Sequence, residues 1–412
     1  MLGSQTPSTA DLVASYSQSF NDTILTEHGV ASALGLWVLL ALLAPGSQES
    51  DRDELEKALG TSADDAASRA AELLANPHPA LHAAVALWSK AAALNEKFAA
   101  FAESLPAEIT RGAVPTQEQA DTWANEHTLG LISQFPLHLD PLIAAVLVSA
   151  IATKGEWLQP FDGAKASDLG GVFAAQADTV LRSPDTHKVA IVRTMSAGLV
   201  GVHSAHTTEG LLVISVIGAP YSSPPQMHGA ALEVSRLLSG VVTTAQYVNL
   251  FDLELGDGLA WHIEEREYLG AGFARQEYYE AFLAAWEMRS EHSLKACPGV
   301  IQSANTLDGW LKEEERPGTF GAEQVAMARF TKVGFEAAAI TAVSGLSAPM
   351  PQANPITERT ATIFFNRPYA VLALTDTRAP NPDAPWLTDT IAPDVWLGVP
   401  AFAAWVGRVN PA

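Results

Sequence analysis

The 412-residue chain contains 11 histidines and a single cysteine. His203-x-x-His206 is the closest-spaced histidine pair. Two histidines three apart can share a helix face, but this segment reads as strand and loop, and no carboxylate or third ligand stands near. His292, in Arg289-Ser290-Glu291-His292, reads as a turn or surface residue. Cys297 is followed by Pro298, has no Cys-His spacing around it and has no second thiol to pair with. No Gly-x-Ser-x-Gly elbow and no Gly-x-x-x-x-Gly-Lys-Ser/Thr loop is present. Gly270-Ala271-Gly272 lacks the third glycine of a dinucleotide loop. No enzyme signature emerges, and no metal or cofactor is expected.

The elements that position these residues form a large core. Hydrophobic residues make up 48% of the chain and charged residues only 17%, with a net charge of −22. Such a field repels a phosphate backbone, and no Lys/Arg cluster offsets it, so a nucleic-acid partner is excluded. The acidic run Glu313–Glu315 reads as a solvated face. Met1–Ser19 has neither the basic nor the apolar region of a signal peptide, which points to a cytoplasmic chain. Val30–Ala44 is apolar but too short to span a bilayer. It reads as a core helix ended by Pro45-Gly46, with Trp37 out of water.

The first 140 or so residues read mostly helical. Ser50 stands in the N-cap position of a helix that stops at Gly60. Gln117–Phe135 reads as another helix, and Ala80–Trp88 as strand or helix. From about residue 141 the chain turns β-rich. Val189–Thr194, Leu199–His203 and Leu211–Ile217 carry β-branched residues between breakers. Ala230–Ser239 reads as a helix, Pro349–Pro355 as a loop, and Thr362–Leu374 as strand interrupted at Arg367-Pro368. No linker forces a boundary, so the expectation is one α+β domain over residues 1–412.

One segment combines unusual features. Arg329–Val343 is a strand-like run, then Gly334, then small residues, then a Pro-rich stretch. The three alanines read as a helix start. They read equally as a conditional strand, since small side chains pass between other strands and Gly334 supplies a pivot.

Gly334-Phe335-Glu336-Ala337-Ala338-Ala339-Ile340-Thr341 resembles the hinge of the serpins, Gly-Thr-Glu-Ala-Ala-Ala-Ala-Thr. Three more places agree in order. Trp123–Ile132 is similar to the family's Trp-Val-x-x-x-Thr-x-Gly-Lys-Ile helix. Leu147–Asp162, with Lys154-Gly155-Glu156-Trp157, is similar to its Lys-Gly-x-Trp strand. Phe365–Tyr369 and Gly407–Pro411 match its C-terminal strands. Glu27–Leu59 fits the family's buried helix and its successor more loosely. Val172–Gly270 fits poorly, and the likeness is to divergent bacterial serpins.

The resemblance implies three β-sheets, about eight to nine helices and an exposed reactive loop over about 335–357. It implies an extracellular monomer that inhibits a serine protease as a suicide substrate, with no membrane and no cofactor. The cut loop would insert as a strand into the main sheet, so Ala145–Ile151 and Gln324–Val333 should be neighbours there. The family's spacing places the scissile bond at Ala348-Pro349. Leu346-Ser347 is the alternative, since most serine proteases do not cleave before proline. Alanine or leucine suits an elastase-, subtilisin- or chymotrypsin-like pocket. The residues gating the sheet fall at Ser149, Trp157 and Gln324. Phe335 stands where the family has Thr or Ser, Lys332 where it has Glu, Ser149 where it has Asn and Gln324 where it has His. A non-inhibitory binding or carrier protein is the rival reading.

Overall fold

The computed structural model describes residues 6–90, 95–140, 143, 145–153, 155–241, 243–270, 273–312, 322–335, 354–381 and 384–409. Its helices are α1 (Thr9–Ile24), α2 (Ala33–Leu43), α3 (Glu49–Leu59), α4 (Ala63–Ala75), α5 (Glu96–Ser104), α6 (Gln117–His127), α7 (Ala166–Leu169), α8 (Gly171–Ala174), α9 (Pro224–Leu238) and α10 (Val300–Gly309). The strands begin with β1 (Gly29–Ala31), β2 (Leu81–Ser89), β3 (Thr110–Gly112), β4 (Ala145–Thr153), β5 (Gly155–Glu156), β6 (Asp162–Ala164), β7 (Val180–Arg182), β8 (Lys188–Thr194), β9 (Gly198–His206), β10 (Leu211–Ile217) and β11 (Gln246–Tyr247). They continue with β12 (Gly256–Asp257), β13 (Trp261–Gly270), β14 (Arg275–Ala284), β15 (Trp286–Ser293), β16 (Glu323–Phe330), β17 (Gly334–Phe335), β18 (Asn354–Phe364), β19 (Tyr369–Thr375), β20 (Arg378–Asn381), β21 (Ala384–Thr390) and β22 (Pro400–Val406).

Two large sheets carry most of the strands. One has the order β1-β22-β19-β10-β9-β8-β11, the other β12-β13-β18-β14-β7-β6. Every residue of β10, β19 and β22 is buried, the continuous apolar pattern of strands covered on both faces. The third region is divided into β3-β2-β4 and β15-β16, with β17 paired to β5. The expectation that Ala145–Ile151 and Gln324–Val333 share one hydrogen-bonded sheet is therefore corrected. Among the described residues no backbone pairing joins β4 to β16, although both strands wall one cavity.

Helix α2 lies at the centre. Ser32 caps it, with its hydroxyl accepting from the Gly35 amide. Ten of its eleven residues are buried and Trp37 is wholly out of water, as the apolar run predicts. The helix starts later than the sequence suggests, because Gly29–Ala31 pairs with Trp405–Ala403 before the chain turns at Ser32. Helix α6 stops at His127 rather than Phe135. Thr128 Oγ1 donates to the Ala124 carbonyl, and Leu129 and Gly130 then take positive φ of 57° and 77°, which ends a helix. Helix α3 begins before Ser50, with Gln48 in the cap position, while Gly60 closes it in the left-handed conformation.

Ala80–Trp88 resolves as strand β2, buried at Val85–Trp88 against β4. Ten helices occur among the described residues against the eight to nine expected, and α7 and α8, at four residues each, are too short to leave a periodic signal. Among the described residues no helix is long and apolar enough to cross a membrane.

The loop boundary at 357 is corrected too. Asn354–Thr357 belongs to β18, where Pro355 stands opposite Leu269 of β13. Its neighbour β14 joins the ladder only at Thr357, so Pro355 has a partner strand on one side alone, a position where its missing N–H is tolerated.

Candidate functional site

The N-terminus of α2 ties the two halves of the divided sheet together. On one side the Ser149 hydroxyl of β4 donates to the Gly35 carbonyl at 3.0 Å. On the other, the Gln324 amide of β16 makes a two-way contact with Ser32. Its Nε2 donates to the Ser32 carbonyl and its Oε1 accepts from the Ser32 amide, both at 2.9 Å. The Ser32 hydroxyl donates to the Ala401 carbonyl of β22 at 2.7 Å. Strand β15 adds two contacts: Ser290 Oγ accepts from the Val30 amide at 3.0 Å, and His292 Nε2 donates to the Val30 carbonyl at 2.9 Å. His292 is thus a half-buried strand residue holding β1, not a turn residue.

Between these anchors lies a cavity of about 1160 Å³. Its walls are β4 and β16, its floor is α2 through Leu36 and Leu40, and Trp123 and Phe135 line it from the α6 side. Trp123 is held edge-on to Trp88 of β2 at 5.2 Å. Every second residue on much of β4 is only half-buried, as expected of a strand lacking a neighbour on one side.

One end of the cleft is closed by chain. Gly334 pairs with Glu156 and Phe335 with Gly155. A side chain at Gly155 would press on Glu209 and Thr207, at 2.8 Å and 3.0 Å, so this crossing needs glycine. Trp157 locks the base of that crossing. Its backbone amide donates to the Val333 carbonyl at 3.1 Å and its indole N–H to the Thr331 carbonyl at 2.9 Å. The ring is buried with Phe161 and Phe330, at centroid distances of 5.7 Å and 5.0 Å.

Beneath these aromatic rings sit the half-buried His187 and the fully buried His203. His187 Nε2 faces the Gln159 carbonyl at 2.8 Å, and since a carbonyl only accepts, this nitrogen carries the proton. His187 Nδ1 then accepts from His203 Nε2–H at 3.0 Å, which leaves His203 Nδ1 buried without a partner. Burial pushes the His187 pKa down to about 4 and that of His203 well below its ordinary value. The His203-x-x-His206 pair is not a chelate. Three steps along a strand turn the side chains to opposite faces, and His206 faces Asp376 at 3.5 Å instead. Among the described residues no group of three metal-ligating side chains occurs. Cys297 is buried and its thiol is pushed up to about 12, which keeps it protonated and inert.

Of the sequence-derived site residues, Ser149 and Gln324 meet at α2, and Trp157, Gly334 and the Phe335 backbone meet at the closed end of the cleft. Glu336, Ala337, Ala338, Ala339, Ile340 and Thr341, and both bait bonds at Leu346-Ser347 and Ala348-Pro349, lie outside the described residues. Sequence reasoning missed Ser32, Ser290, His292 and His187. The only available signal was their place in runs that flank strands, which does not separate them from ordinary surface polar residues.

Two predictions arise here. Gln324→Leu should cost about 2 kcal/mol in urea unfolding, because the buried Ser32 amide and carbonyl lose their partner together. An unchanged midpoint would mean water replaces the amide. Acid should destabilise the protein through His187 and His203. Their folded pKa values lie below the unfolded value of about 6.5, so the unfolded chain binds protons first as pH falls. Stability should therefore drop between about pH 6.5 and pH 4, by about 3 kcal/mol for His187. His187→Gln should remove its share of that slope, and a slope identical to the parent's would assign the effect elsewhere.

A family model described as "Serpin (serine protease inhibitor)" matches residues 8–176. No curated protein sequence matches the chain. Among solved structures, human thyroxine-binding globulin in complex with thyroxine is 14% identical, with 98% of each chain covered and a TM-score of 0.64. A highly specific serpin of the insect Tenebrio molitor is 14% identical over 100% of both chains, at 0.59. The thermophilic serpin tengpin, in its native state, is 14% identical over 96% of this chain and 92% of its own, at 0.59. The chain has the serpin fold, and its residues 8–176 match the serpin family. The family generally inhibits serine proteases, and thyroxine-binding globulin, solved with thyroxine bound, has a similar fold.

Proposed function

We propose that this protein inhibits a serine protease of small or apolar specificity by offering a bait loop, being cut, and taking the cut strand into the cleft between β4 and β16. The observation that carries this reading is the register at the closed end of the cleft. Gly334 opposes Glu156 and Phe335 opposes Gly155 in antiparallel sense. Continued at the same register, Ala337 falls beside Thr153, Ala339 beside Ile151 and Thr341 beside Ser149. Nine residues, Ala337–Gly345, would run the length of β4. The hinge alanines then meet the floor of the cleft with small side chains, and Leu346-Ser347 and Ala348-Pro349 lie beyond its end.

The chemistry needs little from the inhibitor. A protease serine attacks the bait carbonyl and forms an acyl-enzyme. Release of the new amine end frees the strand, and its uptake is driven by two new ladders and by burial over α2. No catalytic residue of this chain takes part. Incubation with subtilisin and with an elastase, read on a denaturing gel, tests the reading. A covalent complex at the summed mass is expected, and clean cleavage without complex overturns it. Ala339→Arg should convert the inhibitor to a substrate, since it forces a charge against Ile151 and the cleft floor.

A second reading is a carrier protein. A separate cavity of about 450 Å³ is walled by β9, β10, β19 and the end of α9, and Lys188, His206 and Asp376 offer polar contacts beside Leu212 and Leu374. The similar fold of thyroxine-binding globulin makes thyroxine the probe. Saturable binding that Lys188→Ala weakens, together with an absence of covalent complex, favours this reading.

A further inference from the structure

Strand β13 is an edge along most of its length. β18 pairs with one side of it from Trp261↔Ile363 to Gly270↔Asn354 without a register break. On the other side β12 covers only His262 and Ile263. Among the described residues no strand pairs with that side of Glu264–Gly270. Two hydrogen bonds fix which groups this side offers. The Phe364 amide donates to the Ala260 carbonyl across the β18 ladder at 2.9 Å, and the Gly258 amide donates to the Trp261 carbonyl on the β12 side at 2.8 Å. Backbone groups alternate sides along a strand, so from Trp261 on the odd-numbered residues turn theirs outward. Glu265, Glu267 and Leu269 therefore present three N–H donors and three C=O acceptors along an open edge.

Exposed edges are commonly blunted by shortness, proline or a bulge. β13 has ten residues, no proline and an unbroken ladder. Its protection is charge, and that charge has a sign. Arg266 is engaged with Glu358, and Glu265 with Arg359 at 2.7 Å. Glu267 is exposed, and among the described residues no cation pairs with it. The Glu264 side chain is 78% exposed, with the His262 ring 3.7 Å away. Two carboxylates thus stand available, three residues apart on opposite faces of the strand, and the exposed Leu269 lies beyond them. A second copy of the chain does not fit this edge. A two-fold pairing that uses all three outward residues sets Glu267 against Glu267, and one centred on Arg266 sets Glu265 against Glu267. Like charges directly opposite are destabilising, here on a chain of net charge −22.

We propose that the β13 edge docks an extended, basic segment of a partner protein as an added antiparallel strand. Read across the new ladder, the segment carries an apolar residue opposite Leu269, a Lys or Arg two residues later opposite Glu267, and another three residues further on opposite Glu264. Backbone pairing with Glu265, Glu267 and Leu269 supplies the hold, and the two carboxylates select the sign of the partner's charge. This edge belongs to a different sheet from β4 and β16, so the proposal does not depend on how that cleft is read.

The probe is the fluorescein-labelled peptide Val-Thr-Lys-Thr-Val-Arg-Thr, titrated with the full chain by anisotropy at low salt, where exposed charges are least screened. Saturable binding is expected, at least roughly tenfold tighter than for the same peptide with Glu in place of Lys and Arg. Glu264→Lys/Glu267→Lys, checked for folding by its melting, should invert that preference. Amide methylation of the peptide separates strand addition from charge attraction and needs no protein variant. The third and fifth residues turn their amides toward β13, so methyl groups there should weaken binding at least roughly tenfold, while methyl groups on the second and fourth should leave it unchanged. Equal effects of the two methylated sets overturn the proposal, as does a lack of preference between the basic and acidic peptides, or a preference that the double variant fails to move. Sedimentation supplies the remaining outcome. Leu269→Pro removes an outward N–H without touching the β18 ladder, and a parent dimer broken by that change would assign the edge to a second copy and overturn the proposal.

Discussion

Cut once between Gly345 and Met350, the protein should melt at least roughly 10 °C above its uncut form. The cleft supplies the reason. β4 and β16 lack pairing with each other, and β4 is half-buried at Leu147, Val148 and Ser149. A strand of small residues laid between them makes backbone bonds on both sides and covers apolar surface of α2. In a protein of this size each kcal/mol moves the midpoint by about 2 °C or less, so such a rise needs five kcal/mol or more. A nine-residue strand with two new ladders can provide that. The measurement is differential scanning calorimetry before and after limited subtilisin treatment, with mass spectrometry to locate the cut. An unchanged midpoint with the cut confirmed would end the trapping mechanism for this protein. Phe335 is the residue to vary next. If Phe335→Thr enables a rise that the parent lacks, the aromatic ring blocks the first step and the parent is a carrier or binding protein.

Leu40→Asp should leave no cooperatively folded protein. Leu40 is 1% exposed, lines the cleft floor and lies against Gly299 and α10. The replacement removes a buried aliphatic side chain, about 2–3 kcal/mol, and places a carboxylate among the buried apolar side chains of α2. The sum reaches much of the 5–15 kcal/mol that holds a domain folded. Expression in the insoluble fraction is expected, and the conservative Leu40→Met should remain soluble and melt close to the parent. Normal melting of the aspartate variant would place this side chain in water.

The buried helix was legible because fifteen nearly unbroken apolar residues have few other fates. Ser149, Trp157 and Gln324 were legible through motif spacing, and each lies where a strand meets α2 or the crossing at Gly334. Strand β13 was not legible. Its first three residues are buried or half-buried and the next six are exposed, so Glu264–Leu269 has no alternation that marks a strand. Its pairing with β18 spans almost a hundred residues of chain, a relation that no local pattern encodes. The division of the main sheet was equally hidden, since β4 and β16 read alike whether or not they touch. The extension of β18 back to Asn354 ran against the proline signal, which is local, while the pairing that overrides it is not.

The pairing of β1 with β22 has a consequence for how the molecule is made. Gly29–Ala31 can find Trp405–Ala403 only when almost the whole chain exists. Until then α2, an almost wholly apolar helix, has neither β22 beneath it nor Gln324 to hold its first turn. During synthesis the chain must therefore carry a sticky, unroofed helix for nearly four hundred residues, at roughly 5–20 residues added per second. Folding of this protein should therefore finish only after almost the whole chain is made. Its yield depends on what shelters residues 33–43 during those tens of seconds, so growth temperature and holdase supply should control the soluble yield more strongly than any surface substitution.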